Sequence, residues 1–222
     1  MKLMRLVVAF AVVSFGCQDP EYGGEKGELR FRFGLGGCTN VAATKGKLAR
    51  GGSTDLLVGD TGSKRTSLTI ETASPGVVTS PKGVLELTCT GEGCKETQGT
   101  LPLEALSAGT GRIIFTDSNG SQVDVLSVTV GEATSLVVED EDGRSSTSIT
   151  LAKGKQLQAK LKGPDGEVFA KTPFNWSVEG DAVKNISSKD SVVNVEGAAV
   201  GSSIVNVRFG DLAGSIEVKV TN

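Results

Sequence analysis

The chain has 222 residues, 23 Lys and Arg against 26 Asp and Glu, a net charge of −3 and no histidine. The missing imidazole excludes Ser-His-Asp and Cys-His catalytic centres and His-ligated zinc. The mildly acidic charge, without a basic cluster, argues against a nucleic-acid partner. A carboxylate-only mechanism stays open, but no acidic pair forms a recognisable motif, and the Asp and Glu residues fall where a solvated surface explains them. We therefore expect no enzyme activity, no metal and no cofactor.

The first 17 residues, MKLMRLVVAFAVVSFGC, have the pattern of an export signal that ends at a cysteine. Lys2 and Arg5 supply a positive start. The apolar run that follows has about a dozen residues, whereas a membrane-spanning helix needs roughly 20. The pattern predicts a signal helix over residues 1–16 and a mature chain that begins at Cys17. Removing Lys2 and Arg5 leaves 21 basic residues against 26 acidic ones, a net charge of −5.

The segment from Val13 to Cys17 resembles the lipobox of bacterial lipoproteins. The resemblance implies a diacylglyceryl group on the Cys17 thiol and a further acyl chain, such as palmitate, on its amine. Two or more acyl chains hold a protein stably on a membrane. Gln18, directly after the cysteine, favours the outer membrane of a Gram-negative bacterium. The alternative is ordinary secretion, with Cys17 as a plain thiol.

Beyond a flexible tether predicted for residues 17–26, apolar residues alternate with polar ones at a period of two. The alternation is clear in ELRFRF, DVLSVTV, FNWSV and SIEVKV. It is typical of strands with one buried and one exposed face. The turn signals DTG, DSNG, EDG and GPDG separate the strands. Because only the signal segment looks helical, the sequence predicts an all-β chain of β-sandwiches after an N-terminal signal helix.

An internal repeat divides the mature chain in two. The stretches that end at Val130 and at Asn222 both contain a glycine, an apolar strand, a turn and a final alternating strand. Aligning Val130 with Val220 gives an offset of 90 residues, close to the size of one sandwich domain. We predict domains over residues 27–131 and 132–222.

Residues from about Ala133 to Asn222 resemble the bacterial immunoglobulin-like domain of group 2. The segments LAKGKQLQAKL, FNWSVEG, AAVGSSIVNVRF and SIEVKV match its Gly-led strand B, the Trp on strand C, the turn into strand F and the closing strand. The first half is more divergent: SAGTGRIIF fits strand F, but Ile70 replaces the Trp, and residues 81–98 contain extra sequence. The resemblance implies two tandem immunoglobulin-like sandwiches that serve as spacer, adhesin part or assembly piece.

Trp176 is the only tryptophan, and two interpretations of it are open. Its phase with Phe174 and Val178 favours a position in the sandwich core. The other interpretation is an exposed platform for sugar stacking, which would make the protein a carbohydrate-binding surface lipoprotein.

Three cysteines, Cys38, Cys89 and Cys94, lie in the first predicted domain, and an exported chain meets oxidising conditions. The two glycines in CTGEGC allow the chain to turn back, which favours a Cys89–Cys94 disulfide. Pairing of Cys38 with either of the other two stays open. The spacing is not that of a redox-active C-x-x-C motif.

The acidic run EDEDG, Glu139–Gly143, also has two interpretations. Carboxylate oxygens at Glu139–Asp142 could bind calcium, but an EF-hand loop is excluded because Ser145 and Leu151 stand at its sixth and twelfth positions. The other interpretation is a solvated turn after a strand.

Together these observations predict a non-catalytic, lipid-anchored protein of the cell envelope that presents immunoglobulin-like domains for binding, adhesion or envelope assembly. The membrane is the partner of the lipid anchor. A protein or a glycan of the envelope is the expected second partner, and an exposed sheet edge is the physical route for a protein. The alternative is the carbohydrate-binding lipoprotein.

Overall fold

The structure is a computed structural model, and it describes residues 23–34, 40–60, 62, 65–90, 93–94, 96–140, 143, 148–151 and 154–221. The predicted signal helix, Cys17 and Cys38 lie outside these ranges. Twenty strands, and no helix, occur in the described ranges, which confirms the all-β class. Within the same ranges no helix has the length and apolarity needed to cross a membrane.

The amino-terminal half forms a first sandwich of two sheets. Its strands are β1 (Leu29–Gly34), β2 (Asn40–Ala42), β3 (Lys47–Ala49), β4 (Ser53–Asp60), β5 (Ser67–Thr72), β6 (Val78–Thr79), β7 (Val84–Glu86), β8 (Thr88–Thr90), β9 (Glu96–Ala105), β10 (Gly109–Thr116) and β11 (Gln122–Gly131). One sheet has the order β2-β1-β4-β9-β6, with β8 also on β9, and the other has the order β3-β11-β10-β5-β7. The extra sequence noted at residues 81–98 forms β7, β8 and the start of β9.

The carboxyl-terminal half forms a second sandwich. Its strands are β12 (Ser135–Asp140), β13 (Ser148–Leu151), β14 (Lys155–Gly163), β15 (Gly166–Val168), β16 (Asn175–Glu179), β17 (Val183–Lys189), β18 (Val192–Gly197), β19 (Gly201–Phe209) and β20 (Leu212–Val220). One sheet has the order β12-β14-β18-β17, with β15 on β14, and the other has the order β13-β20-β19-β16.

Both sandwiches have immunoglobulin-type topology. The orders β1-β4-β9-β6 and β12-β14-β18-β17 correspond to strands A, B, E and D of that fold, and β11-β10-β5 and β20-β19-β16 correspond to G, F and C. In each sandwich a short strand, β3 or β13, pairs in parallel with the final strand. The prediction of tandem immunoglobulin-like sandwiches is therefore confirmed by strand order.

The sequence repeat is visible as an identical register in the last hairpin of each sandwich. Gly109 pairs with Val130 in the first, and Gly201 pairs with Val220 in the second. Both glycines have a positive φ, 140° and 148°, which side-chain-bearing residues rarely adopt. The structure thus gives Val130 and Val220 the same position, as the sequence alignment does.

The same register shows what replaces the tryptophan in the first sandwich. Ile70 pairs with Phe115, which follows Gly109 by six positions, and Trp176 pairs with Val207, which follows Gly201 by six. Ile70 therefore occupies the position of Trp176. Ile70 is buried, with 8% of its surface exposed, and contributes to the first core.

Alternating side chains build the two cores. Leu29, Phe31 and Phe33 of β1 point inward while the intervening arginines are half-buried. The ring of Phe31 lies 4.9 Å from the ring of Phe115 across the first sandwich, centroid to centroid. Burial of such rings is the main source of stability for an all-β domain of this size.

Four acidic side chains of the described residues are buried, so the expectation that the acidic residues form a solvated surface is wrong for Asp60, Asp124, Glu139 and Asp140. Each is at most 8% exposed. A buried carboxylate needs hydrogen-bond donors or a cation; Asp60, for example, accepts from Arg65 at 3.0 Å. The sequence carries a signal for this burial, because Asp124 is in phase with the buried residues Leu126 and Val128.

We expect Phe115→Ala to lower the free energy of unfolding by about 3–5 kcal/mol, because the ring is fully buried and its loss leaves a cavity. Val84→Ala is the control, since Val84 is 51% exposed, and its effect should stay within about 0.5 kcal/mol. Chemical denaturation of the two variants measures the difference. Equal losses for both would contradict the assigned core.

Candidate functional site at the junction of the sandwiches

The two sandwiches meet directly. Residues 132–134 are all that separate β11 from β12, and Thr134 N donates to Lys162 O of β14 at 2.7 Å. Residues 47–53 of the first sandwich lie against residues 168–173 of the second. We call these two segments, with their contacts, the junction.

Backbone hydrogen bonds hold the two segments of the junction together. Four of the bonds that cross have a donor–acceptor distance of 2.8 Å: Phe169 N to Lys47 O, Ala49 N to Phe169 O, Ser53 N to Thr172 O and Lys171 N to Ser53 O. A fifth, from Thr172 N to Ser53 O, is 3.3 Å long. The side-chain hydroxyls of Ser53 and Thr172 also share a hydrogen bond. Because strand-like pairing fixes both distance and direction, these bonds set how the sandwiches are oriented.

Each sandwich contributes a side chain to the core of the other. Ala49 belongs to the first sandwich, yet it is fully buried in the second core. Phe169 belongs to the second sandwich, yet it packs against the first core. This exchange removes apolar surface from water on both sides of the junction, and apolar burial favours the docked state.

Gly52 permits the close approach of the two chains. A Cβ at this position would lie 2.7 Å from the Cβ of Ala170, 3.0 Å from the backbone oxygen of Ala49 and 3.3 Å from the Phe209 ring. Any side chain here would therefore push the sandwiches apart or distort their facing segments.

Among the residues with described positions, three ion pairs surround the junction. Lys171 Nζ lies 2.7 Å from Asp55 Oδ2, and the other pairs are Lys47–Asp165 and Arg50–Glu132, each at 3.2 Å. The last two are largely exposed, so they add little stability.

Lys171 and Asp55 are more sheltered than the other pairs, with 26% and 33% of their side chains exposed. The hydrogen bond to Asp55 raises the pKa of Lys171 above 10.5, against the lowering effect of burial. A raised lysine pKa stabilises the fold while the amine is charged. While Asp55 is ionised, the contribution of Lys171 is therefore fully present below pH 10.5, and it is lost as the pH rises past the folded-state pKa of the lysine.

A groove of about 360 Å³ lies beside the junction. Val41 of the first sandwich and Phe169 and Phe174 of the second contribute apolar walls. Lys160, its cationic residue, is already paired with Glu139 at 2.9 Å. Glu167 also lines the groove, which therefore combines apolar surface with one acidic side chain and an already paired lysine.

Trp176 lies on the edge strand β16 and is partly buried. Its ring packs against the second core, and Nε1 donates to the backbone oxygen of Asp190 at 3.4 Å. Large exposed hydrophobic side chains in the described ranges are aliphatic: Val84, Leu106, Val200 and Ile204. The described surface therefore gives no support to a stacking platform for sugars.

The structure joins Cys89 and Cys94 in a disulfide, with Cα atoms 5.2 Å apart. The bridge connects the middle residue of β8 to the turn before β9. Gly93 and Cys94 in that turn have positive φ values of 74° and 51°. The disulfide restrains the extra strands of the first sandwich and lies outside the junction.

The acidic run begins inside a strand, so its interpretation as a solvated turn is wrong for Glu139 and Asp140. Both are buried at the end of β12, and Glu139 pairs with Lys160 of the neighbouring β14. Asp140 is in phase with the buried residues Leu136 and Val138, whereas Glu139 lies on the other face of β12, where Lys160 pairs with it. No cluster of three or more metal-ligating carboxylates or thiols occurs in the residues that the structure describes.

No protein-family model matches the sequence, and no curated protein sequence matches it significantly. Solved structures that it resembles include domains 5–6 of the S-layer protein SbsC, with 16% identity, 81% of this chain and 94% of that chain covered, and a TM-score of 0.32. InvD of Yersinia pseudotuberculosis has 14% identity, coverages of 79% and 55%, and a TM-score of 0.34. The chain thus spans about half of InvD.

The Yersinia pseudotuberculosis adhesin InvE has 16% identity, with 90% of this chain and 62% of that chain covered, and a TM-score of 0.32. Similarity at this level carries no argument about what the chain binds.

We expect Gly52→Val to loosen the junction, because the new side chain meets Ala170 and backbone where no space exists. Amide hydrogens of Ala49 and Ser53 should exchange faster, and overpacking should cost about 1–3 kcal/mol. Hydrogen exchange with mass spectrometry on the full chain measures this. Gly76→Val is the matched control, since a Cβ at Gly76 meets nothing within 4 Å; equal effects of the two changes would refute the close approach.

Trp176→Ala should cost about 1–3 kcal/mol, less than a fully buried ring would, because part of the indole is already in water. Trp176→Phe keeps most of the packing and loses the bond to Asp190, so its cost should be about 1 kcal/mol. Urea denaturation followed by circular dichroism gives both values. Unchanged stability in Trp176→Ala would show that the ring packs on nothing.

Proposed function

We propose that this chain is a lipid-anchored protein of the bacterial cell envelope. In this proposal Cys17 carries the lipid, and the two sandwiches form a rigid stalk that presents the second sandwich away from the membrane. The protein acts by binding or as a structural piece of the envelope, without catalysis. Its partner, a protein or a glycan, meets the sandwich surfaces.

The observation that carries the proposal is the direction of the chain through the first sandwich. Strand β4 runs from Ser53, at the junction, to Asp60, and Leu29 pairs with Asp60. The chain therefore comes into the first sandwich at the end opposite the junction, about 23 Å away at 3.3 Å per residue. A membrane anchor before residue 23 would lie on that far side.

The second sandwich continues in the same direction. Leu212, at the start of β20, lines a cavity together with Arg50 and Glu132 of the junction region. Strand β20 then runs away from the junction to Val220. The two sandwiches are thus connected end to end, with the chain entering the first and leaving the second at opposite ends. This arrangement gives a spacer its length.

Rigidity supports the same proposal. A stalk that holds a binding surface at a fixed distance needs a joint that does not bend freely, and a polar linker would bend. Here backbone bonds, the exchange of Ala49 and Phe169 and the Lys171–Asp55 pair close the joint. Bending at the junction would break the backbone bonds, expose Ala49 and Phe169 to water and separate Lys171 from Asp55.

Lipid anchoring is tested by intact mass of the full chain after expression in a Gram-negative host and extraction from its membranes. We expect a mass that lacks residues 1–16 and carries acyl groups, because the signal resembles a lipobox. Cys17→Ser should lose the acyl mass and leave the membrane fraction. Cys89→Ser is the control, and it should keep both.

A mature chain free of fatty acid that stays in the aqueous phase after detergent partitioning would overturn the lipid anchor. Acylation that survives in Cys17→Ser would move the anchor to another residue.

A further inference from the structure

We infer that residues 23–28, here called the strap, are clamped onto β11 by the buried carboxylate of Asp124, and that this clamp fixes where the membrane tether leaves the protein. The sequence predicts a flexible tether through residue 26. The structure instead pairs Gly23 with Arg30 and places the strap against the first sandwich. The part of the predicted tether that the structure describes, residues 23–26, is therefore docked.

Asp124 is fully buried, and its two oxygens accept four backbone N–H groups. Oδ1 accepts from Lys26 at 2.9 Å and from Val125 at 2.8 Å. Oδ2 accepts from Glu28 at 3.0 Å and from Leu29 at 2.9 Å. Hydrogen bonds to a charged acceptor are stronger than neutral ones, and three of these four come from the strap or from its boundary with β1.

A second set of contacts comes from Glu25. Its backbone N donates to Val125 O at 2.8 Å. Its carboxylate accepts from Arg112 at 2.9 Å and from Ser127 at 3.1 Å. The side chain and backbone of one strap residue thus reach both β10 and β11, so the strap is held at more than one point.

Gly24 is the residue that lets the strap lie this close. A Cβ at Gly24 would overlap Oδ1 of Asp124 and lie 2.7 Å from the backbone oxygen of Val125. Backbone cannot yield as the end of a flexible side chain can, so any residue larger than glycine opposes docking. A substitution at Gly24 is therefore expected to release the strap while the carboxylate of Asp124 is kept.

Docking of the strap shortens the distance that the chain can span between Cys17 and the first sandwich. Six residue steps separate Cys17 from Gly23, and covalent geometry limits them to about 20 Å. If the strap were released, twelve steps would separate Cys17 from Leu29, with a limit of about 40 Å. Docking therefore halves the distance over which the first sandwich can leave the bilayer. The membrane part of this inference rests on the proposed anchor at Cys17, whereas docking itself does not.

The test is hydrogen exchange of the full chain in detergent, comparing wild type with Gly24→Ala and Asp124→Ala. Amides of Lys26, Glu28 and Leu29 should exchange slowly in wild type and at least about tenfold faster in both variants. Amides of β4 and β9, paired strands of the first sandwich that do not contact the strap, report whether its fold persists. Gly76→Ala is the matched control and should leave every rate unchanged, because a Cβ there meets open space.

Two outcomes would overturn docking: strap amides that exchange at unprotected rates in wild type, or equal protection in wild type and Gly24→Ala. Gly24→Ala keeps the test decisive if Asp124→Ala fails to fold. Neutron reflectometry of the chain on a supported bilayer then measures the gap between protein and lipid, which Gly24→Ala should widen by up to about 20 Å. An unchanged gap would overturn the reach argument, and a chain without acyl groups would overturn the anchor while leaving docking intact.

Discussion

The pairing of residues 47–53 with residues 168–173 is the constraint on which the whole arrangement depends. A backbone hydrogen bond has a direction, so a ladder of them fixes an angle that apolar contact alone would leave open. Ala49 and Phe169 then add burial on opposite sides. Without this ladder, the chain could bend at the three residues between β11 and β12. The two sandwiches would then have no fixed orientation relative to each other.

Local alternation in the sequence was enough to predict the strands and the fold class. Segments such as ELRFRF alternate so strictly that their buried face is evident, and the structure buries the expected residues. The repeat predicted the equivalence of Val130 with Val220, and the resemblance to the immunoglobulin-like family predicted the replacement of Trp by Ile70. Both follow from register, because a period of two leaves no freedom to slip by one residue.

The junction could not be predicted in this way, because its contacts join residues more than 100 positions apart. Lys171 and Asp55 are unremarkable charges in their own segments, and nothing local indicates that they meet. The buried carboxylates are a different case. Asp124 follows the phase of the inward residues of β11, and an acidic residue on a buried face needs donors. The alternation in the sequence therefore indicates that Asp124 is buried, even though a charged residue is usually expected at the surface.

The parallel pairs β3–β11 and β13–β20 have a mechanical consequence. In each sandwich the last strand pairs in parallel with a short strand from the beginning of the same sandwich. A pull along the stalk would slide such strands lengthwise and strain all their hydrogen bonds together, in shear, whereas an antiparallel hairpin pulled from its open end would unzip one bond at a time. In both sandwiches the parallel pairing thus places several hydrogen bonds side by side across the direction of such a pull.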